Sequence, residues 1–242
     1  MSLLTIIGGF TGAAIRCGIT VPTTVITNPS NNVQKLLAYA QDSGRDLLER
    51  WNWRALNKSA TITGDGVTTL WPLPSDFKRL CPSDKSQTGP FVSSVRPLLP
   101  LSGPVNDEDL NQAKAWPAMP VVPLWRLIGS NVEIWPALAA AEVVTYNYYS
   151  KAWIRPVAGA DQTIWALDTD TSLIEEDTVM KGTVWRWKAS QGLDYAEEFR
   201  QYELSADRNA GQEGTERIVS TASPRFGLAD DCWPGTITYP GP

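Results

Sequence analysis

Two stretches with hydrophobic residues spaced three and four apart, separated by a long middle without that spacing, constrain the fold of this chain most. In the first, Val33, Leu36, Leu37, Ala40, Leu47, Leu48 and Trp51 share one face, with Gln34, Lys35, Gln41, Asp42 and Arg45 opposite. That pattern predicts an amphipathic helix. Asn28 and Pro29 mark its start, because Asn caps and Pro suits the first helical position. Gly44 falls mid-helix, where Gly costs about 1 kcal/mol relative to Ala, so close packing or a kink is expected there. The second stretch opens at Ser172-Leu173-Ile174-Glu175, a capping-box spacing, with Glu175, Glu176 and Asp177 suited to the positive end of a helix dipole. It predicts a helix to about Ala189 stopped by Gly192, then a second helix on which Tyr195, Phe199, Tyr202 and Ala206 share a face. So short a connection predicts an antiparallel helix pair.

The middle reads as strands and turns. Ala60 to Leu70 predicts two strands around Gly64-Asp65-Gly66, since Asp-Gly supplies the positive φ a hairpin turn needs. Trp71-Pro72-Leu73-Pro74 is not expected to continue as a paired strand, and Ser75 or Asp76 opens a turn before Phe77. Asn106 to Ala115 suits a short helix capped by Asn106 or Asp107. Leu124–Ile128 and Val132–Trp135 flank Gly129-Ser130 as a hairpin, and Glu142–Tyr149 is a further strand. Residues 1–28, rich in Gly, Thr and Val, read as an extended arm, and the Pro- and Gly-rich residues 214–242 as an extended tail. The fold class is α+β. One N-terminal helix and a C-terminal helix pair (29–58 and 172–213) form a helical bundle, into which an antiparallel β-rich subdomain (59–171) is inserted.

Composition removes several function classes. The chain has no histidine, which takes away the commonest general base, metal ligand and triad member together. Its net charge of −5 disfavours tight sequence-specific DNA binding. Cys17, Cys81 and Cys232 lie far apart and lack disulfide or zinc spacing, so reduced thiols are expected. Met1 to Phe10 is apolar without a basic n-region or cleavage site, so neither a signal peptide nor a spanning segment is expected, and synthesis is placed in a cytoplasm. The run Ile6 to Ala14 has the wrong glycine spacing for a dinucleotide fingerprint. Glu175/Glu176 and Glu197/Glu198 sit at helix starts, where the dipole explains them without glycosidase chemistry. No catalytic residue, cofactor or metal is expected, and the chain reads as a non-enzyme.

The 11 tryptophans spread over every segment, which fits core packing and subunit contact better than a sugar-stacking platform. Trp185 and Trp187 stand two apart on a helix and cannot face the same way, so one is expected to point at a neighbouring subunit. Trp51 joins them as a candidate for that interface.

Taken in order, these segments resemble the head-to-tail adaptors of podovirus-type tailed bacteriophages. The likeness covers residues 28–211 and is carried by Leu47-Leu48-Glu49-Arg50-Trp51-Asn52-Trp53, by Leu73-Pro74-Ser75-Asp76-Phe77, by strands ending in Ile134-Trp135-Pro136, by the Tyr-rich strand and by the acidic helix pair. The Gly- and Thr-rich residues 1–28 depart from it. The resemblance implies a structural virion protein that forms a twelve-subunit ring under the portal at the neck, assembled in the host bacterial cytoplasm. The ring would extend the DNA channel and give the tail nozzle or tail tube a docking surface, with DNA passing through without sequence-specific binding. Arg225, Phe226, Trp233 and Tyr239 become candidate portal contacts, and Glu197, Glu198 and Glu203 candidate acidic residues of the lumen. The alternatives are a β-sandwich carbohydrate-binding module using Trp125 and Trp135, and a tail-tube or nozzle component; a hydrolase is disfavoured by the missing histidine.

Overall fold

The computed structural model describes residues 2–9, 12–81, 90–96, 101–116 and 120–213. It begins with two short helices, α1 (Leu3–Gly8) and α2 (Ala13–Arg16), where the sequence reading expects an extended arm. Leu3, Ile6 and Ile7 are spaced for one helical face, and they are buried with Ala13, Ala14 and Val25. Their backbone is held from across the chain. The Leu3 and Leu4 N–H groups donate to the carbonyls of Asp170 and Asp168 at 2.8 and 3.0 Å, and the Val25 and Ile26 N–H groups to the Asp168 carboxylate at 3.0 and 2.8 Å. Residues 2–28 are therefore a wall of the helical core wherever they are described.

The long helix α3 (Asn31–Arg50) starts later than Asn28-Pro29, because Asn28 is used one turn earlier: its side chain accepts the Ser30 N–H at 2.9 Å. A short 3-10 turn at Arg54–Leu56 leads into β1 (Asn57–Thr63), followed by β2 (Leu70–Pro72), β3 (Phe77–Leu80) and β4 (Phe91–Ser93). Helix α4 (Asp107–Ala115) is capped by Asn106 as expected, and β5 (Leu124–Ile128), β6 (Asn131–Trp135) and β7 (Val143–Ser150) follow. Next come β8 (Ile154–Arg155), β9 (Thr171–Ser172), α5 (Glu176–Ser190) and α6 (Ala196–Gln212). The protein is α+β, with antiparallel sheets.

The expected hairpin across Asp65 does not form. Strand β1 pairs along its length with β7, whereas β2 pairs with β6 in another sheet. The Asp65 carboxylate accepts the N–H groups of Val67 and Thr68 at 2.9 and 2.7 Å, and this turn carries the chain from one sheet to the other. Pro72 lies in a paired strand after all; β2 is at the edge of β2-β6-β5, where a missing donor is tolerated. Gly129 has φ 57 between β5 and β6, and Ser130 is not at positive φ, the pattern of a type II′ turn. The capping box at Ser172 is not used, because Ser172 lies in β9 paired with β8 and its hydroxyl accepts the Ile174 N–H at 3.1 Å.

Two apolar cores result. One, within the sheets, centres on Phe91, Trp125, Ile134 and Tyr146. The other is helical and includes Leu36, Leu47, Trp187 and Tyr202, but it also takes Trp153, Ile154 and Trp165 from the segment assigned by sequence to the β-rich unit. Trp153 is fully buried, edge-on to Trp165 at 5.2 Å, and its ring fills the space beside Gly44. Gly44 is thus the close-packing site its mid-helix position implies. Gly44→Ala gains helix propensity yet drives Cβ into the Trp153 ring; a net loss of about 1–3 kcal/mol is expected, read as a lower urea midpoint.

Candidate functional site

Asp76 of the Leu-Pro-Ser-Asp-Phe segment is a hub. Its carboxylate accepts the Tyr148 hydroxyl at 2.9 Å, the Ser150 hydroxyl at 2.9 Å and the Lys58 ammonium at 2.8 Å, while its carbonyl accepts the Lys151 N–H at 2.8 Å. Lys58 also reaches Asp161 at 3.0 Å, and Arg155 reaches Asp161 at 3.3 Å. Asp76 thereby ties β1 to β7, and Lys58 carries the link on to the loop after β8. Burial alone would raise the Asp76 pKa, but the bonds from Lys58, Ser150 and Tyr148 outweigh it and hold the carboxyl below its ordinary value. Burial, together with the bond to Asp76, pushes Tyr148 upward. Both carboxylate oxygens of Asp76 are engaged by neighbours, so the group braces the fold.

Beside this hub an open cleft of about 520 Å³ lies between α3 and the end of the first sheet, lined by Arg45, Leu48, Glu49, Phe77, Lys78, Lys151, Trp153 and Thr163. Lys78 pairs with Glu49 at 2.7 Å and burial lowers its pKa, while Arg45 and Lys151 are exposed at the mouth.

The second feature is on the α5–α6 pair. Trp185 meets Phe199 edge-on at 5.2 Å and lies 6.2 Å from both Tyr195 and Tyr202, with the Arg186 guanidinium over its ring at 4.4 Å. Arg186 is itself fixed, donating to Ser43 Oγ at 2.9 Å, the Gly182 carbonyl at 3.1 Å and Asp46 at 3.2 Å; the Tyr202 hydroxyl donates to Asp46 at 2.8 Å. Beyond this fixed base, Leu193, Tyr195 and Phe199 remain 54%, 43% and 37% exposed, forming an aromatic rim at the turn between the helices. Rigid aromatics over a polar, immobilised base are suited to protein contact.

The candidate residues divide accordingly. Trp51 and Trp187 are each only 6% exposed within the helical core, which leaves little ring surface for a neighbouring subunit. The inference that Trp185 or Trp187 must point outward is corrected too: α6 covers the Trp185 side of α5, so both rings have partners within the chain. Glu197 pairs with Arg200, Glu198 with Lys188 and Glu203 with Arg50, which offsets the negative field they were expected to present. Arg225, Phe226, Trp233 and Tyr239 lie outside the described residues. Trp125 is buried against Phe91 at 4.7 Å, and the Lys114 ammonium lies 5.9 Å from the centre of the Trp135 ring, so these two indoles do not form an open stacking platform. Burial pushes the Cys17 thiol up to about 12, as does Glu198, against the opposing charge of Lys188.

Sequence reasoning missed the Asp46–Arg186–Tyr202 network, whose members are far apart in the chain, and the exposure of Tyr195 and Phe199. The available signal for the latter was that both stand in the first turns of α6, beside the loop at Gly192. Among the described residues, no group of three or more acidic or cysteine side chains could hold a metal ion, and no helix is long and apolar enough to cross a membrane. Comparison with protein-family models and with curated proteins finds no match.

The lowered Asp76 pKa sets a pH test. Its stabilisation is complete above the ordinary carboxylate range and is lost as pH falls through the folded value. Asp76→Asn is expected to cost about 1–3 kcal/mol at pH 7 and to flatten the fall in stability at acid pH, measured as urea midpoints from pH 7 to pH 3.

Proposed function

We propose that this protein is the head-to-tail adaptor of a tailed bacteriophage, a non-enzymatic component of the virion neck. Twelve copies form a ring beneath the portal, extend the DNA channel and provide the docking surface for the tail nozzle or tail tube. Two things support the reading: the ordered set of segments shared with podovirus adaptors, and the aromatic rim of Leu193, Tyr195 and Phe199 at the α5–α6 turn, which is the observation that carries it. A ring requires a heterologous contact that closes on itself, and an exposed aromatic cluster on a rigid helix pair is suitable material for one side of it.

In this reading α3, α5 and α6 form the helical bundle from which the sheets project as an inserted subdomain. DNA passes the ring without sequence-specific contact. The salt-bridged Glu197, Glu198 and Glu203 keep only part of the repulsion that a lumen lined by free carboxylates would exert. Arg225, Phe226, Trp233 and Tyr239 reach the portal.

The test is mass by light scattering, for the chain alone and mixed with the portal ring of the same phage. The wild-type chain is expected as a twelve-subunit species, either alone or on the portal. Phe199→Glu is expected to remain a folded monomer in both settings. A wild-type monomer that ignores the portal would remove the adaptor reading.

A further inference from the structure

Among the described residues, no strand pairs with the outer edge of β1. On its inner side it pairs with β7 in unbroken register from Asn57↔Tyr149 to Thr63↔Val143. The parity of the ladder follows from its end: the Gly64 N–H donates to the Glu142 carbonyl at 2.7 Å, so Ile62, Ala60 and Lys58 are the residues bonded to β7. The far side of β7 agrees, since the carbonyls of Val143 and Asn147 accept from Ser94 and Cys81 at 2.8 and 3.0 Å. The N–H and C=O groups of Asn57, Ser59, Thr61 and Thr63 therefore point away from β7; the Asn57 N–H donates to the Arg54 carbonyl, and no strand among the described residues pairs with the others. All four residues are exposed.

Edges of this kind are ordinarily protected by proline, a bulge, shortness or a free charge. β1 has none of these. It is seven residues long, without proline or register shift, and its one charge, Lys58, is drawn to Asp76 and Asp161. Such an edge is a template for a further strand.

The chain itself continues from this place. Helix α6 ends with Glu213, whose carboxylate accepts the Arg54 N–H at 2.9 Å, three residues before β1 begins. The segment that follows therefore leaves from the foot of β1. It contains Thr215-Glu216-Arg217-Ile218-Val219-Ser220-Thr221, rich in the β-branched residues that favour strands and free of proline until Pro224. The later run Thr236–Tyr239 is shorter and bracketed by Pro234 and Pro240. The two or three residues after Glu213 span up to about 10 Å, which exceeds the roughly 6 Å that the 3-10 turn covers from Arg54 to Asn57.

We propose that residues 216–221 add to the outer edge of β1 of the same chain as a parallel strand, completing the sheet β1-β7-β3. Main-chain bonds from Ser59, Thr61 and Thr63 hold it, and one of the neighbours Ile218 and Val219 extends the apolar face of Ala60 and Ile62. Residues 222–242 are then launched from the far end of β1. The proposal does not depend on the adaptor reading, because it needs no partner.

Residue-resolved amide hydrogen exchange on the full-length chain tests it, comparing wild type with Ile218→Pro/Val219→Pro. In wild type, the Ser59, Thr61 and Thr63 amides are expected to exchange about tenfold or more slowly than in the double variant, equally at low and high protein concentration. Lys58, Ala60 and Ile62, bonded to β7, should be equally protected in both proteins, which shows that the sheet is intact. Equal exchange of Ser59, Thr61 and Thr63 in the two proteins overturns the proposal. Protection that grows with concentration also overturns it, since a second copy would then cover the edge.

Discussion

The indole of Trp153, lying where Gly44 leaves α3 without a side chain, is the contact on which the arrangement of sheets and helices depends. Trp153 comes three residues after β7, the strand that pairs with β1, β3 and β4. Seating its ring in the helical core fixes where the first sheet leaves the bundle. A β-carbon at position 44 would exclude it, and the large buried area of the indole would have nowhere else to go.

The polar groups repeat that logic at two further points. Asp76 gathers Lys58, Tyr148 and Ser150 where the first sheet meets the loop after β8. Asp46 gathers Arg50, Arg186 and Tyr202 where α3, α5 and α6 meet. In both places a carboxylate joins segments remote in sequence, and in both a tyrosine hydroxyl and a cation satisfy it, which a partly buried charge requires. The Asp46 cluster also holds Arg186 over Trp185, so the aromatic rim at the α5–α6 turn rests on a braced base.

What could be read from the sequence followed from local chemistry. Helix α3, the hairpin at Gly129 and the antiparallel α5–α6 pair were legible because spacing, caps and turn residues specify them within a few residues. The hairpin at Asp65 was misread because the same Asp-Gly signal serves any tight turn, and only the pairing of β1 with β7 and β2 with β6 decides between hairpin and crossover. The first residues were misread because α1 and α2 are held by Asp168 and Asp170, far along the chain. Of the candidate interface tryptophans, helical spacing showed that Trp185 and Trp187 diverge, but not that α6 would cover the outer one.

The proposed adaptor role joins an aromatic rim and a braced helix pair to the resemblance of the ordered segments to phage adaptors. Electron cryomicroscopy of the chain mixed with the portal ring of the proposed phage tests it most directly. The account predicts twelve copies in a closed ring, with Tyr195 and Phe199 of each buried against a neighbour. A portal left bare, or a ring in which that rim faces solvent on every copy, would contradict it.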